Sequence, residues 1–119
     1  MICGIGLDIV ELERIKRLLD KNSRFETRVL TPKERERLND YDGQRKVEFA
    51  GGRYAAKEAF AKAVGTGISG RFGFQDIEVD SDHSGKPVIT ARGNNMVVHV
   101  AITHSKDYAA AQVILEERL

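Results

Sequence analysis

A single cysteine, Cys3, stands in the whole chain, so no intramolecular disulfide can form and no cysteine-based metal framework exists. Its place in the apolar run from Met1 to Ile5 predicts a small buried hydrophobe, not a reactive thiol. No charge of one sign dominates. The formal net charge is +1, and no global field draws the chain to nucleic acid or to an anionic membrane. No apolar run approaches the roughly 20 residues that span a bilayer. The start of the chain lacks a basic region followed by a long apolar core, so no signal peptide is expected and a reducing cytoplasm is the predicted setting. Repeats, linkers and low-complexity segments are absent too. Nucleotide-binding fingerprints fail as well. Gly65-Thr-Gly67 follows a helix instead of preceding one and has no Lys-Ser/Thr at the P-loop offset; Gly4-Ile-Gly6 lacks the third glycine of a dinucleotide fold. His104-Ser105 is not set in a Gly-x-Ser-x-Gly elbow, so no hydrolase triad is read there.

What remains is a chain of 119 residues, 41% hydrophobic and 31% charged, which suits one globular domain spanning 1–119 with a modest core that oligomerisation would help. Its basic residues crowd the first half. Met1 to Val10 predicts a strand buried on at least one face, with Asp8 set inside it. Glu11 to Leu19 carries Leu12, Ile15, Leu18 and Leu19 at helical spacing. Asp20 to Asn22 ends that helix, and Ser23 can cap a short one through Val29. Thr31-Pro32 opens a further helix to about Leu38, with Thr31 as N-cap and Glu34 in the first turn. A long Ala-rich helix is expected from Arg45 to Val64, stopped by Gly65 and Gly67. Gly65 to Gly73 reads as an irregular loop. Four strands follow: 75–80, 88–91, 96–103 and 108–115. A strand, a run of helices and then an antiparallel meander give an α+β fold with helices packed on an antiparallel sheet.

Three places carry candidate chemistry, each with an ordinary alternative. Asp8 is either a cap for the helix that follows or a ligand to a hard cation such as Mg²⁺. Glu58 and Lys62 are four apart on the long helix, which makes them either a solvated ion pair or a second metal carboxylate with a phosphate contact. His104-Ser105-Lys106 lies in a turn between strands, polar for ordinary reasons or placed to meet an anion. Arg14, Arg17, Arg24 and Arg28, with Phe25 as an apolar anchor, form a solvated face or a docking surface for an acidic partner.

Three motifs in order carry a resemblance. Gly4-Ile-Gly-Leu-Asp8-Ile-Val-Glu-Leu-Glu-Arg14-Ile, Arg53-Tyr-Ala-Ala-Lys-Glu58-Ala-Phe-Ala-Lys62-Ala-Val-Gly-Thr-Gly67 and Thr103-His104-Ser105-Lys106-Asp-Tyr-Ala resemble the signatures of the small holo-acyl-carrier-protein synthases, a 4′-phosphopantetheinyl transferase family. The resemblance implies that family's fold and its reaction: transfer of 4′-phosphopantetheine from coenzyme A to a serine of apo acyl carrier protein, with 3′,5′-ADP released, in fatty acid biosynthesis. It implies Mg²⁺ on Asp8 and Glu58, catalytic roles for Asp8, Glu58 and Lys62, and coenzyme A contacts from Arg53, Lys62, His104 and Ser105. It implies docking of the carrier on Arg14, Arg24, Phe25 and Arg28, and a homotrimer with each site between two subunits. Tyr54 stands where Phe is common in the family, and Thr103 where Ser is. Two rivals predict different behaviour. A binding module would tolerate loss of Asp8 or Glu58, and another Mg²⁺-dependent phosphotransferase or nucleotide hydrolase would need no carrier serine.

Overall fold

The structure, a computed structural model, describes residues 1–21 and 24–119. The expected helix end at Asn22 and cap at Ser23 lie outside the described residues. Strand β1 (Ile2–Glu11) leads into helices α1 (Leu12–Lys21), α2 (Arg24–Val29), α3 (Pro32–Leu38) and α4 (Gly43–Val64). A single 3₁₀ turn at Phe74–Asp76 then precedes β2 (Ile77–Ser81), β3 (Pro87–Ala91), β4 (Val97–His104) and β5 (Tyr108–Glu116). The Thr31-Pro32 start forms a full capping box: Thr31 Oγ1 accepts from the Glu34 amide and Glu34 accepts from the Thr31 amide. Gly65 closes α4 in the left-handed region at φ 99°, where a residue with a Cβ is strained.

The expected meander divides. β2 and β3 pair as a separate hairpin, while β1, β5 and β4 form an antiparallel sheet with β5 in the centre. Asn94 turns the chain between β3 and β4: its side chain donates to the Met96 carbonyl and accepts from the Met96 amide. Pairing of the first strand with the last is set by burial across the whole chain, and no local pattern encodes it.

Helix α4 lies across the three-stranded sheet. Ala55, Ala56, Ala59, Phe60 and Ala63 meet Ala109, Ala111, Val113 and Leu115 in the core. Approach is closest over β1, where Gly4 and Gly6 have no room for a Cβ. One added at Gly6 would lie 1.9 Å from the Ala59 carbonyl oxygen, and one at Gly4 would lie 2.2 Å from that of Ala63. The alternation of β1 therefore runs opposite to what its apolar residues suggest. Gly4, Gly6, Asp8 and Val10 share the face toward α4, while Ile5, Leu7 and Ile9 point outward at 62%, 62% and 64% exposure. Cys3, on that outer face, is exposed and not buried as expected; its Sγ lies 3.2 Å from the Met96 Sδ.

Lys57 is the other departure. The sequence groups it with the cations around Glu58, yet it is fully buried at 0% exposure. Its Nζ donates to Glu34 Oε1 at 2.6 Å, to the Val29 carbonyl at 2.7 Å and to the Phe74 carbonyl at 3.0 Å. All three ammonium protons are thus used. Glu34 is used as fully, since its Oε2 accepts from the Val79 amide. Burial lowers the Lys57 pKa while Glu34 opposes that shift.

Candidate active site

The close packing of α4 on β1 brings Asp8 to α4. Asp8 follows Gly4 and Gly6 on the same face, and its register partner is Ala111 of β5. Lys62 reaches across: its Nζ donates to Asp8 Oδ1 at 2.9 Å and to the Leu7 carbonyl at 3.2 Å. The ordinary Glu58–Lys62 surface pair is thus replaced by a contact spanning 54 residues of sequence. The hydrogen bond from Lys62 to Asp8 raises the pKa of the ammonium and holds it charged. The Asp8 side chain is only 13% exposed. An ionised carboxylate that deep calls for a cation, and Lys62 supplies one.

Glu58 stands one turn before Lys62 on α4 and is partly buried. Burial raises its pKa first, and the Asp8 carboxylate raises it further, against Lys62, Tyr54 and Arg14, which lower it. The two carboxylates therefore sense each other. Tyr54, one turn before Glu58, has its own hydroxyl pKa raised by burial and then by Glu58. In the sequence Tyr54 stands out only as a departure from a motif; its place beside Glu58 follows from i, i+4 spacing on a helix.

This donor set fits Mg²⁺. The ion takes hard oxygen ligands, with one or two protein carboxylates and the rest from phosphate and water. A divalent cation between two neighbouring carboxylates offsets the repulsion of their like charges. No group of three or more potential metal-ligating side chains converges among the described residues, so the remaining ligands would come from substrate and solvent.

The other expected site residues lie elsewhere in the chain. Arg53 is five positions before Glu58, roughly 140° around the helix. Its guanidinium sits 4.2 Å from the Phe49 ring centre, and its buried Nε has no hydrogen-bond partner among the described residues. Burial lowers its pKa. His104 ends β4, with its Nδ1 3.7 Å from Glu48 near the start of α4. Asp8 and His104 sit on opposite edge strands, two residues out of level, hence roughly 12 Å apart by sheet geometry. Ser105 braces the turn: its amide donates to the Tyr108 carbonyl, and its Oγ accepts from the Tyr108 amide. One chain brings together Asp8, Glu58 and Lys62, and sets Arg53, His104 and Ser105 apart from them.

The basic residues of the first helices border a groove of about 600 Å³ lined by Arg14, Arg24, Phe25, Arg28, Tyr54 and Glu58, among others. The groove therefore opens directly onto Glu58. Phe25 is not the exposed anchor expected of it. It is 8% exposed and packs against Tyr54 with ring centres 6.0 Å apart.

A model of the 4′-phosphopantetheinyl transferase superfamily matches residues 4–113. The chain belongs to this superfamily, among its holo-acyl-carrier-protein synthases. It is 54% identical over 116 residues to the holo-[acyl-carrier-protein] synthase of Geobacillus kaustophilus, covering 98% of this chain and 90% of that one. Identity to the Bacillus subtilis enzyme of the same name is 51%, over 98% of this chain and 97% of the other. The crystal structure of the Bacillus anthracis enzyme in complex with CoA (3′,5′-ADP) superposes with a TM-score of 0.92 at 49% identity, covering 99% of each chain. That of Helicobacter pylori in complex with coenzyme A gives 0.84 at 29% identity, over 94% of this chain and 99% of that one. The protein is a transferase with the fold of this family. No helix among the described residues is long and apolar enough to cross a membrane.

Proposed function

We propose that this transferase, a single domain of the family over residues 1–119, moves 4′-phosphopantetheine from coenzyme A to a serine of apo acyl carrier protein. It releases 3′,5′-ADP, depends on Mg²⁺, and serves fatty acid biosynthesis in the cytoplasm. The observation that carries this reading is the convergence of Asp8 and Glu58 with Lys62 at the end of a basic groove. Relatives named for the same activity, two of them crystallised with coenzyme A or its 3′,5′-ADP part, support it.

The serine oxygen bonds to the β-phosphorus of coenzyme A, next to the pantetheine arm. The bond from that phosphorus to the bridging oxygen breaks, and 3′,5′-ADP leaves with the electron pair. When bound between Asp8 and Glu58, Mg²⁺ would neutralise the diphosphate as charge builds on its oxygens. Lys62, held charged by Asp8, places a second cation at the same oxygens. The serine proton passes to a carboxylate of this site, directly or through a water. Arg14, Arg24 and Arg28 steer the acidic carrier over a floor formed by Phe25 and Tyr54.

Arg53, His104 and Ser105 contact the nucleotide from a neighbouring subunit in a homotrimer. One observation supports this. Ile5, Leu7 and Ile9 form an exposed apolar stripe on the outer sheet face, the kind of patch that marks an interface.

The test is mass spectrometry of apo acyl carrier protein incubated with coenzyme A, Mg²⁺ and the enzyme. The carrier gains one phosphopantetheine. Glu58→Gln abolishes the gain while circular dichroism shows an intact fold. No gain across several active apo carriers, or full activity in Glu58→Gln, overturns the reading.

A further inference from the structure

Helix α2 presents Arg24, Phe25 and Arg28 to the groove, yet it is only six residues long. A helix that short does not hold itself together in water. Its last carbonyls also lack intrahelical partners and must find others.

They find them in two side chains from elsewhere in the chain. The Gln75 Nε2 lies 3.0 Å from the Thr27 carbonyl oxygen, 3.1 Å from that of Arg28 and 2.9 Å from that of Leu30. Lys57 Nζ takes the carbonyl between them, that of Val29, at 2.7 Å. Carbonyls 27 to 29 are thus held by one amide and one ammonium, and the Leu30 carbonyl is shared between Gln75 and Arg35, whose Nη1 donates to it at 2.7 Å. The amide has two N–H groups for three acceptors, so at least one hydrogen is shared. Its orientation is fixed, because an oxygen in the place of Nε2 would face three carbonyl oxygens. Lys57 also holds the Phe74 carbonyl, the residue before Gln75, so the 3₁₀ turn, the end of α2 and the middle of α4 are tied at one knot. Gln75 itself is exposed and lines no part of the groove.

We propose that Gln75 is a positioning residue for carrier docking: its side-chain amide pins the C-terminal end of α2 and so sets the pose of Arg24 and Arg28 relative to Glu58. The proposal rests on the carrier-docking reading given above. It follows that Gln75 governs how well the carrier is held and not how fast phosphorus is transferred. Asp8, Glu58 and Lys62 sit on β1 and α4, whose positions the Gln75 amide does not set.

The variant Gln75→Met keeps the length and the apolar stem and removes both donors at an exposed position, so the chain folds. Steady-state kinetics with apo acyl carrier protein then show a carrier KM raised about tenfold, as expected for losing two to three shared hydrogen bonds. The kcat and the coenzyme A KM stay within about twofold of wild type, since no interaction made only in the transition state is removed. A loss of folded protein alone would lower the apparent kcat and leave both KM values in place. Amide hydrogen exchange reports the pin directly: α2 exchanges faster in Gln75→Met with α4 unchanged, and Gln75→Lys, which keeps donors, retains slow exchange. Arg28→Glu is the control for docking. If it raises the carrier KM and Gln75→Met does not, the pin is refuted and the docking surface stands. If Arg28→Glu leaves the carrier KM unchanged, the docking reading fails and takes the proposal with it. Unchanged α2 exchange in Gln75→Met overturns the proposal by itself.

Discussion

Gly6→Ala tests whether the contact of α4 with β1 builds the site. A Cβ on residue 6 would lie 1.9 Å from the Ala59 oxygen, 2.9 Å from its carbonyl carbon and 2.7 Å from the Ala63 nitrogen, against ordinary contact at 3.4–4 Å. All three are backbone atoms, so no side chain can step aside. The helix must move off the strand by roughly 1.5 Å, the difference between 1.9 Å and the shortest ordinary contact. Ala59 and Ala63 flank Glu58 and Lys62, and Asp8 is the next residue on the same face of β1. The shift is therefore delivered to the 2.9 Å Lys62–Asp8 contact. A displacement of about 1 Å in reacting groups costs on the order of 10²-fold in rate, and overpacking of this kind costs about 1–3 kcal/mol. Gly6→Ala should melt roughly 4–12 °C lower and transfer phosphopantetheine about a hundredfold more slowly when assayed well below its melting point. Gly65→Ala is the comparison, with strain at φ 99° but nothing within 4 Å of the added methyl; it loses stability and keeps its rate. Near-wild-type transfer by Gly6→Ala, with an unchanged melting point, would refute the idea that this approach sets the site.

Two further tests concern ion pairs. Lys57→Met leaves a buried Glu34 without its cation and the Val29 carbonyl without its donor, and should cost about 3–5 kcal/mol, whereas Lys62→Met removes a half-exposed ammonium from a largely buried Asp8 and should cost less. Equal melting points for the two variants in thermal denaturation would show that the Lys57 contacts contribute nothing net. Asp80 has its pKa lowered, chiefly by the hydrogen bond from Lys33 and then by the Ser81 amide. A carboxyl with a lower pKa in the folded state than its ordinary 3.8 stabilises fully above that value and loses the contribution as pH falls through the folded value. Melting temperature measured from pH 5 down to pH 2 should therefore fall less steeply for Asp80→Asn than for wild type; parallel curves would contradict the assignment.

The elements were legible in the sequence because their signals are local. Thr31-Pro32 with Glu34 states a capping box, and the Ala-rich run ending at Gly65 states α4. What periodicity could not convey was which face of β1 goes inward. Apolar bulk pointed to Ile5, Leu7 and Ile9, but space under α4 admits only Gly4 and Gly6. Gly4 and Gly6 face the helix while the larger Ile5, Leu7 and Ile9 face outward. The buried Lys57 was hidden for a related reason. Lysine one residue before Glu58 looks like one more surface cation, and its partner Glu34 lies 23 positions away. The Asp8–Lys62 contact is longer-range still, and Glu58 with Lys62 at i, i+4 offered a local pairing that the fold does not use. Motif order located Asp8, Glu58 and Lys62 together, while the grip of Gln75 on α2 has no sequence signature at all.

The two separated clusters lead to a test of the shared site. In one chain, Arg53 and His104 lie toward the Glu48 end of α4, and Asp8 and Glu58 toward the Lys62 end. A cyclic trimer joins unlike surfaces head to tail, so the first cluster of one subunit can meet the second cluster of its neighbour. Asp8→Ala and Arg53→Ala should then each be inactive alone, the first lacking a carboxylate and the second a nucleotide contact. Co-refolded in equal amounts, they form mixed rings. A complete site needs an intact Asp8 on one side of an interface and an intact Arg53 on the other. With random assembly each is present half the time, so about one quarter of sites are restored. Specific activity of the mixture should rise to about 25% of wild type, and the gain should vanish when both substitutions sit on the same chain and that chain is mixed with itself. If the mixture stays inactive although sedimentation shows trimers, Arg53 serves the subunit it belongs to.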